Sequence, residues 1–208
     1  MARLACYSER MSTPQQPAPP RRPYHHGALR RALLDAALTA LAEEGPAALS
    51  LRALARQVGV SHAALAHHFA DKAGLLTAVA AEGFALLAAD LHAAEQRTGS
   101  YREMGVAYVQ FAVTHRAHFA VMSRPELYHA DDPAVVTARA ATEALLYGPA
   151  GRLSADPTVN PLEAGVAAWA LVHGVATLYL NGALPPQLGD DPNQIARALT
   201  AYLFRALP

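Results

Sequence analysis

Cysteine is nearly absent from the sequence, since Cys6 is the only one in 208 residues. A single thiol excludes a disulfide framework and a metal cage built from cysteines, which fits a protein of the reducing cytoplasm. Uninterrupted apolar runs are short, because a charged residue, histidine or proline ends each one before the roughly 20 residues of a membrane span. A Pro-rich segment follows residue 13, where a signal peptide would have its apolar region. We therefore expect a cytoplasmic protein without a membrane segment.

Motifs of several enzyme classes are missing as well. The sequence has no G-x-S-x-G nucleophile elbow, no P-loop, no dinucleotide fingerprint and no H-E-x-x-H pair. Ten histidines raise the question of a metal site, but the adjacent pairs point apart on a helix, namely His25–His26 and His67–His68. An alternative set that can share one face consists of His92, His115 and His118. We predict neither an enzyme nor a metal or cofactor site.

Basic charge is concentrated toward the N-terminus although the net charge is zero. Residues 1–75 hold nine Lys or Arg and five Asp or Glu, a net +4, and the remainder holds eight and twelve, a net −4. A basic end on an acidic body suggests that the N-terminal part alone meets a polyanion. Chance scatter of few charges can produce the same difference.

Residues 1–23 are rich in Pro, Gln, Ser and Thr and lack periodic apolar residues, which predicts a disordered tail. Arg21 and Arg22 stand near its end, either as an arm for a DNA minor groove or as solvated charges. The first helix is predicted from near His26 to the Gly45-Pro46 pair. Its apolar row consists of Leu29, Leu33, Ala37 and Leu41.

Two short amphipathic helices follow. Ser50 can cap the first, whose apolar positions at i, i+3, i+4 and i+7 are Leu51, Leu54, Ala55 and Val58. Gly59 supplies the left-handed backbone of a sharp turn, and Ser61 can cap a second helix in which Leu65 and Phe69 face inward. Two short helices that meet at a glycine-containing turn predict a helix-turn-helix.

The second helix of such a motif fits the major groove of DNA. Arg52 lies on the groove side of the first helix, where it can reach guanine or phosphate, and Ser50 and Lys72 lie at helix N-termini that favour a phosphate. The predicted DNA-binding residues are Ser50, Arg52, Ser61, His62, Ala63, Ala64, Ala66, His67, His68 and Lys72.

The rest of the chain also has helical periodicity, with Gly or Pro at most junctions and no pattern of strands. One long helix is predicted from Asp71 to Thr98. The further helical segments are 101–115, a broken segment at 118–128, 133–152, 161–180 and 192–207.

The run SLRALARQVGVSHAALAHHF from Ser50 to Phe69, followed by ADKAGLL, resembles the DNA-binding signature of the TetR family. The matching positions are Ser50, Leu54-Ala55, Gly59-Val60-Ser61, Leu65, His68-Phe69 and Lys72. One position departs from the pattern, because the family's usual Tyr, often a phosphate contact, is Ala66 here. Trp169, His173 and Gly174 resemble the W-x-x-x-H-G segment of a TetR subgroup, which a start like Tyr24-His-His-Gly27 often accompanies.

The resemblance implies an all-α, TetR-like fold. Its parts are the tail (1–23), a three-helix helix-turn-helix domain that binds DNA (24–75) and a larger helical domain for ligand binding and dimerisation (76–208). It also implies double-stranded operator DNA as a partner and a homodimer through the last two long helices of each subunit. Small residues in 161–180 are compatible with such close helix packing, although an ordinary core helix has the same composition.

A small, mostly apolar effector is the further partner that we expect. The predicted pocket residues are Phe84, Leu87, Met104, Tyr108, Phe111, Met122, Tyr128, Tyr147, Trp169 and His173, a set that is equally typical of a core. The hypothesis is a repressor that its effector releases from the operator. The alternative is a ligand-binding or scaffold protein with a degenerate DNA-binding helix, which Ala66 and the alanine-rich second helix favour.

Overall fold

The computed structural model describes residues 26–152 and 158–206, and over these ranges the chain contains helices but no strand. The helices are α1 (His26–Ala48), α2 (Leu51–Val58), α3 (His62–Phe69), α4 (Lys72–Thr98), α5 (Tyr101–Thr114), α6 (Arg116–Met122), α7 (Pro133–Tyr147), α8 (Pro161–Leu180) and α9 (Pro192–Ala206). Short 3-10 helices cover Pro125–Leu127, Gly148–Arg152 and Pro186–Leu188. The predicted tail, with Cys6 and the pair Arg21 and Arg22, lies outside the described residues.

The first three helices pack around a small apolar core. Helical spacing predicts which residues face inward, and six of these are buried in the core. They are Leu33, Ala37, Leu41, Leu54, Leu65 and Phe69. Gly45, with a φ of 77°, interrupts α1 where the Gly45-Pro46 pair predicts its end. The predicted order and kind of these elements are therefore confirmed.

The longest helix, α4, belongs to both parts of the molecule. It contacts α1 and α3 of the N-terminal part as well as α5, α6 and α7 of the body. Buried residues recur along its whole length and include Leu75, Leu76, Val79, Leu87 and Leu91. A helix that is buried on several sides is apolar nearly all round.

By length and mean hydropathy, α4 and α8 are each apolar enough to cross a membrane. The prediction from the sequence missed them, because it considered only uninterrupted apolar runs. In α4 the apolar residues form the protein core just described. In α8 they include three large side chains that a single chain leaves exposed, with Leu162 at 57%, Val166 at 41% and Leu178 at 45%. The apolar character of α8 thus comes partly from large side chains that are exposed in a single chain.

The body is built around α5, which contacts α4, α6, α8 and α9. Its inner side buries Met104, Tyr108 and Phe111. The segment predicted as a broken helix forms α6 and the 3-10 helix Pro125–Leu127. Because α7 lies along α4 and also contacts α8, a space lined by side chains remains between these helices.

The turn between α3 and α4 brings the two helices close together. Asp71 caps α4 by accepting the N–H of Gly74 at 2.8 Å, and Ala70 has a φ of 57°. A Cβ atom on Gly74 would lie 2.0 Å from the carbonyl oxygen of Phe69. That oxygen belongs to the backbone and cannot yield without moving the turn, so position 74 requires glycine.

We expect Gly74→Ala to lower the free energy of unfolding by about 1–3 kcal/mol, the usual cost of forcing extra volume into a packed structure. Alanine in a helix would otherwise be more stable than glycine by roughly 0.5–1 kcal/mol. Gly27→Ala is the matched control, because Gly27 is exposed in α1 and nothing lies within 4 Å of a Cβ there. Urea unfolding followed by circular dichroism measures both variants. A Gly74→Ala protein as stable as the parent would contradict the close approach.

Candidate DNA-binding helices and ligand cavity

The turn at Gly59 and two serine caps define the helix-turn-helix. Ser50 caps α2 by accepting the N–H of Ala53 at 3.4 Å, and Ser61 caps α3 by accepting the N–H of Ala64 at 3.1 Å. Gly59, with a φ of 76°, adopts the left-handed conformation that ends α2. Each cap supplies an acceptor to an N–H group that the helix itself cannot satisfy, which fixes where α2 and α3 begin.

One face of α3 is buried and the opposite face is open to solvent. Leu65 and Phe69 form the buried face, at 0% and 5% exposure. Among the predicted groove residues of α3, His62, Ala63 and His67 are exposed, and Ala64, Ala66 and His68 are half-buried. Ser50, Arg52 and Ser61 are exposed as well. The predicted DNA-binding side chains therefore lie on accessible surface around α3.

Lys72 makes a contact that sequence reasoning missed. Its Nζ donates to the carbonyl oxygen of Ala47 at 3.1 Å, and its side chain is half-buried. Lys72 thus ties the first turn of α4 to the end of α1, in addition to lying at a helix N-terminus. Arg30 makes a comparable contact between α1 and α3, because its guanidinium carbon lies 5.2 Å from the centre of the Phe69 ring.

A cavity of about 250 Å³ lies in the body between α4, α5, α7 and α8. It is lined by eight of the ten predicted pocket residues: Phe84, Leu87, Tyr108, Met122, Tyr128, Tyr147, Trp169 and His173. Met104 instead lines a neighbouring cavity of about 30 Å³, and Leu146 and Trp169 line both. Phe111 is fully buried in the core, where its ring centroid lies 5.0 Å from that of His115.

The contribution of α7 to this cavity went unrecognised in the sequence. Arg139, Thr142, Glu143 and Leu146 line it beside the predicted Tyr147. Arg139, Glu143 and Tyr147 follow one another at intervals of one helical turn, so helical periodicity extended back from Tyr147 would have found them. Thr142 Oγ1 donates to the carbonyl oxygen of Phe84 at 2.9 Å, which joins α7 to α4 at the cavity wall.

Three polar side chains form a chain of hydrogen bonds in the cavity wall. Trp169 Nε1 donates to the hydroxyl of Tyr108 at 3.2 Å, and the same hydroxyl lies 2.9 Å from Nδ1 of His173. Trp169 and His173 are one turn apart on α8, so the W-x-x-x-H spacing places both against α5. Burial raises the pKa of Tyr108 to about 12 and lowers the pKa of His173, which favours the uncharged form of both groups.

A second polar network joins the N-terminal helices to the body. Glu82 of α4 accepts a hydrogen bond from Arg31 Nη1 of α1 at 2.6 Å, and its other carboxylate oxygen lies 3.2 Å from Nε2 of His118 in α6. Arg31 Nε also donates to Asp35 at 2.8 Å. Burial lowers the pKa of His118, although the hydrogen bond to Glu82 acts in the opposite direction. Three helices therefore meet at one carboxylate.

The histidines give no metal cluster over the described part of the chain, where no three His, Cys, Asp or Glu side chains are grouped to hold an ion. His115 and His118 of the alternative set do approach each other, with ring centroids 5.7 Å apart. His92 is exposed on α4.

An open recognition helix, joined by one long helix to a helical body with a cavity, defines a DNA-binding transcriptional regulator. Comparison with known families supports this class over most of the chain. Residues 33–79 match the family described as bacterial regulatory proteins, tetR family, and residues 101–203 match the tetracyclin repressor-like C-terminal domain.

Individual relatives agree with both family matches. The chain is 30% identical over 190 residues to the HTH-type transcriptional regulator BetI of Klebsiella pneumoniae (strain 342). The aligned region covers 85% of this chain and 92% of BetI. It is 38% identical over 87 residues to the HTH-type transcriptional repressor Rv1474c of Mycobacterium tuberculosis (strain ATCC 25618 / H37Rv). This aligned region covers 42% of this chain and 46% of Rv1474c. The solved structure of a protein with unknown function from Rhodococcus sp. RHA1 has a TM-score of 0.73 and 34% identity, over 90% of this chain and 99% of that one.

The chain belongs to the TetR family. Members of this family are soluble cytoplasmic regulators that bind operator DNA, act as dimers and are not enzymes. The all-α, TetR-like fold expected from the sequence is thereby confirmed.

Buried His118 and half-buried His173 predict an acid-sensitive fold. The pKa values of His118 and His173 lie below 6.5 in the folded chain, so the unfolded chain takes up their protons first as the pH falls. Stability from these groups is complete above about pH 6.5 and declines below it, by up to about 1.4 kcal/mol per pH unit for each histidine.

Thermal unfolding between pH 7 and pH 5 measures this loss. We expect the variant with both His118→Gln and His173→Gln to have a flatter dependence of Tm on pH, whatever its absolute Tm. His92→Gln changes an exposed histidine and is the control. An unchanged dependence in the double variant would show that other groups cause the acid sensitivity.

Proposed function

We propose that this protein represses transcription at an operator and releases it when a small, mostly apolar effector enters the cavity of about 250 Å³. In this proposal, residues 24–75 form the DNA-binding domain, and residues 76–208 form the domain for effector binding and dimerisation. The observation that carries it is the shared helix α4. Lys72 begins this helix beside α3, and Phe84 and Leu87, roughly 18–22 Å along the same helix, line the cavity.

The DNA contacts that we propose are centred on α3 and the start of α4. His62 and His67 can bond to base edges or phosphates, and the alanines of α3 let the helix approach the groove closely. Few long polar side chains project from α3, so much of the base discrimination falls to Arg52 of α2. Ala66 provides none of the phosphate bonding that a tyrosine would.

A short path supports coupling between the cavity and the DNA-binding helices. Met122 of α6 lines the cavity, and His118 lies one turn earlier on the same helix. His118 contacts Glu82, which accepts from Arg31 of α1. A ligand that favours a different position of α6 or α4 therefore changes the orientation of α1, and the two conformations differ in DNA affinity.

We infer that the homodimer forms through α8 and α9. Apart from Pro161 and Glu163 in its first turn, the exposed residues of α8 are apolar or small, and they form a stripe that consists of Leu162, Val166, Ala167, Ala170 and Leu178. Among the described residues, nothing beyond the adjacent residues and backbone of α8 itself lies within 4 Å of a Cβ added at Gly174, which leaves room for a neighbouring helix. Tyr202 of α9, 68% exposed, is a further large apolar side chain without cover in one chain.

The W-x-x-x-H-G segment, through Trp169 and His173, supports placing the chain in that TetR subgroup.

The DNA assignment predicts the effect of two basic side chains on operator binding. After selection of an operator from random duplexes, we expect Arg52→Ala to weaken binding roughly 5- to 150-fold, the range for one lost base contact. Lys72→Ala is expected to lower the slope of log affinity against log salt by about 1, as for one lost phosphate contact. Fluorescence anisotropy at several salt concentrations measures both quantities.

Arg97→Ala is the matched control for these variants, since Arg97 is exposed at the opposite end of α4. Because Lys72 also bonds to Ala47, the Tm of each variant must be compared with that of the parent protein. If selection recovers no preferred sequence, the repressor proposal fails and the protein is a ligand-binding or scaffold protein with a degenerate reading helix.

The dimer assignment predicts that charge on the α8 stripe separates the subunits. We expect Val166→Arg to shift the protein to monomers, because the arginine would be buried without a partner in the contact. Val136→Arg on α7 is the matched control, since Val136 is 43% exposed and Val166 41%. Sedimentation velocity gives the mass of each species. A dimer that survives Val166→Arg but dissociates with Val136→Arg would move the interface to α7.

A further inference from the structure

The hydrogen bonds around Tyr108 determine which nitrogen of His173 carries a proton. The indole N–H of Trp169 can only donate, so the Tyr108 oxygen accepts from it at 3.2 Å. The Tyr108 hydroxyl has one hydrogen of its own, and the adjacent polar atom is Nδ1 of His173 at 2.9 Å. Tyr108 is 4% exposed, and an unpaired hydroxyl hydrogen is unfavourable at such a buried site. In the arrangement that pairs the Tyr108 hydrogen, Tyr108 donates to Nδ1, which is unprotonated.

An uncharged histidine with a bare Nδ1 carries its hydrogen on Nε2. Burial lowers the pKa of His173, which favours this uncharged ring near neutral pH. Within the described residues neither a side chain nor a backbone carbonyl accepts from Nε2 of His173, and no buried side-chain nitrogen or oxygen there lacks a partner. Nε2 is therefore not a buried atom. It is an accessible N–H donor of a residue that lines the cavity.

The His173 ring is also fixed in direction. Its centroid lies 5.6 Å from that of Trp169 and 5.3 Å from that of Phe119. With Nδ1 bonded to Tyr108 and the ring packed between aromatic neighbours, the Nε2–H points in one direction before any ligand arrives. A donor held in this way loses little conformational freedom when a ligand binds.

The charges around the cavity cancel. Arg139 and Glu143 of α7 form an ion pair at 3.8 Å, and both side chains are more than a third exposed, at 37% and 49%. The inner wall has His173, Tyr108 and Trp169, none of which is charged near neutral pH. An ion carried to that wall would lose part of its hydration without an opposite charge to replace it, which is unfavourable.

The size and the lining favour a small ligand with a flat apolar body. The volume of about 250 Å³ lies just below the range of about 300–1,000 Å³ that is common for ligand pockets. Phe84, Tyr128 and Tyr147 face this space together with Trp169. Aromatic walls contribute area burial and ring contacts to a ligand that also contains a ring.

We infer that the cavity takes a small uncharged molecule with a ring-sized apolar body and one hydrogen-bond acceptor, such as a carbonyl oxygen, to which His173 Nε2–H donates. His173 determines specificity, and Tyr108 and Trp169 are positioning residues that hold its tautomer. This inference rests on the proposed function, in which the same cavity is the effector site.

Four probes of similar flat shape test the inference: acetophenone, α-methylstyrene, benzoate and benzamidinium. Acetophenone and α-methylstyrene differ by a carbonyl oxygen in place of a methylene, and the other two carry opposite charges. Binding is measured by calorimetry and by the fluorescence of Trp169, the one tryptophan of the chain. We expect acetophenone to bind roughly three- to tenfold tighter than α-methylstyrene, the usual effect of one net hydrogen bond, and tighter than either ion.

Variants separate recognition from structure. His173→Phe keeps an aromatic ring and is expected to remove the preference for acetophenone while α-methylstyrene still binds. Tyr108→Phe is expected to reduce the preference and to give a mixture of His173 tautomers by nitrogen NMR. Tyr179→Phe, which removes a hydroxyl of α8 that bonds to the Asp190 carbonyl outside the cavity, is expected to preserve both.

Equal binding of acetophenone and α-methylstyrene would overturn the inference, and so would tighter binding of benzoate or benzamidinium. In those cases the cavity still binds ligands, and the proposed effector function stands. Failure of all four probes to bind would overturn the ligand class. Operator binding by the same preparation, measured with and without the probes, then shows separately whether the regulatory function also fails.

Discussion

Burial of α4 is the constraint on which the two halves of the molecule depend. Its 27 residues extend for roughly 40 Å. Leu75 and Leu76 are buried near its start, and Leu87 and Leu91 are buried further along, so one rigid element supplies both cores. Each buried leucine contributes about 1.5–3 kcal/mol through removal of apolar surface from water. Displacement of α4 in the body therefore has to be transmitted to the helix-turn-helix or absorbed by the short turn at Ala70 and Asp71.

Hydrogen bonds between polar side chains determine which helices are joined at particular points, whereas apolar burial supplies most of the stability. Glu82 leaves α4 between the two cores and contacts Arg31 and His118 on two other helices. Tyr108 plays a similar part within the body, because its hydroxyl lies between Trp169 and His173. Both networks contain a histidine whose pKa is lowered mainly by burial, which favours neutral rings near neutral pH.

Local chemistry made much of the site predictable. Gly59 has no Cβ to oppose a φ of 76°, and Ser50 and Ser61 bond to nearby backbone N–H groups, so neighbouring residues suffice to place the turn. Helical spacing likewise separates buried Leu65 from exposed His67. The cavity was only partly predictable. Aromatic and Met side chains suggest a pocket, but their types do not distinguish Tyr108 at the wall from Phe111 in the core.

By itself the sequence determined most of the helices, the caps at Ser50 and Ser61, the inward faces of the first three helices and the family, because these follow from interactions within a few residues and from fixed spacings. Only the tertiary structure decided which distant side chains meet. Arg31 and Glu82 are 51 residues apart, Tyr108 and His173 are 65 apart, and Lys72 reaches back to Ala47. Such contacts depend on the angles at which helices pack. Those angles result from the simultaneous packing of many side chains, so a local pattern of residues does not predict them.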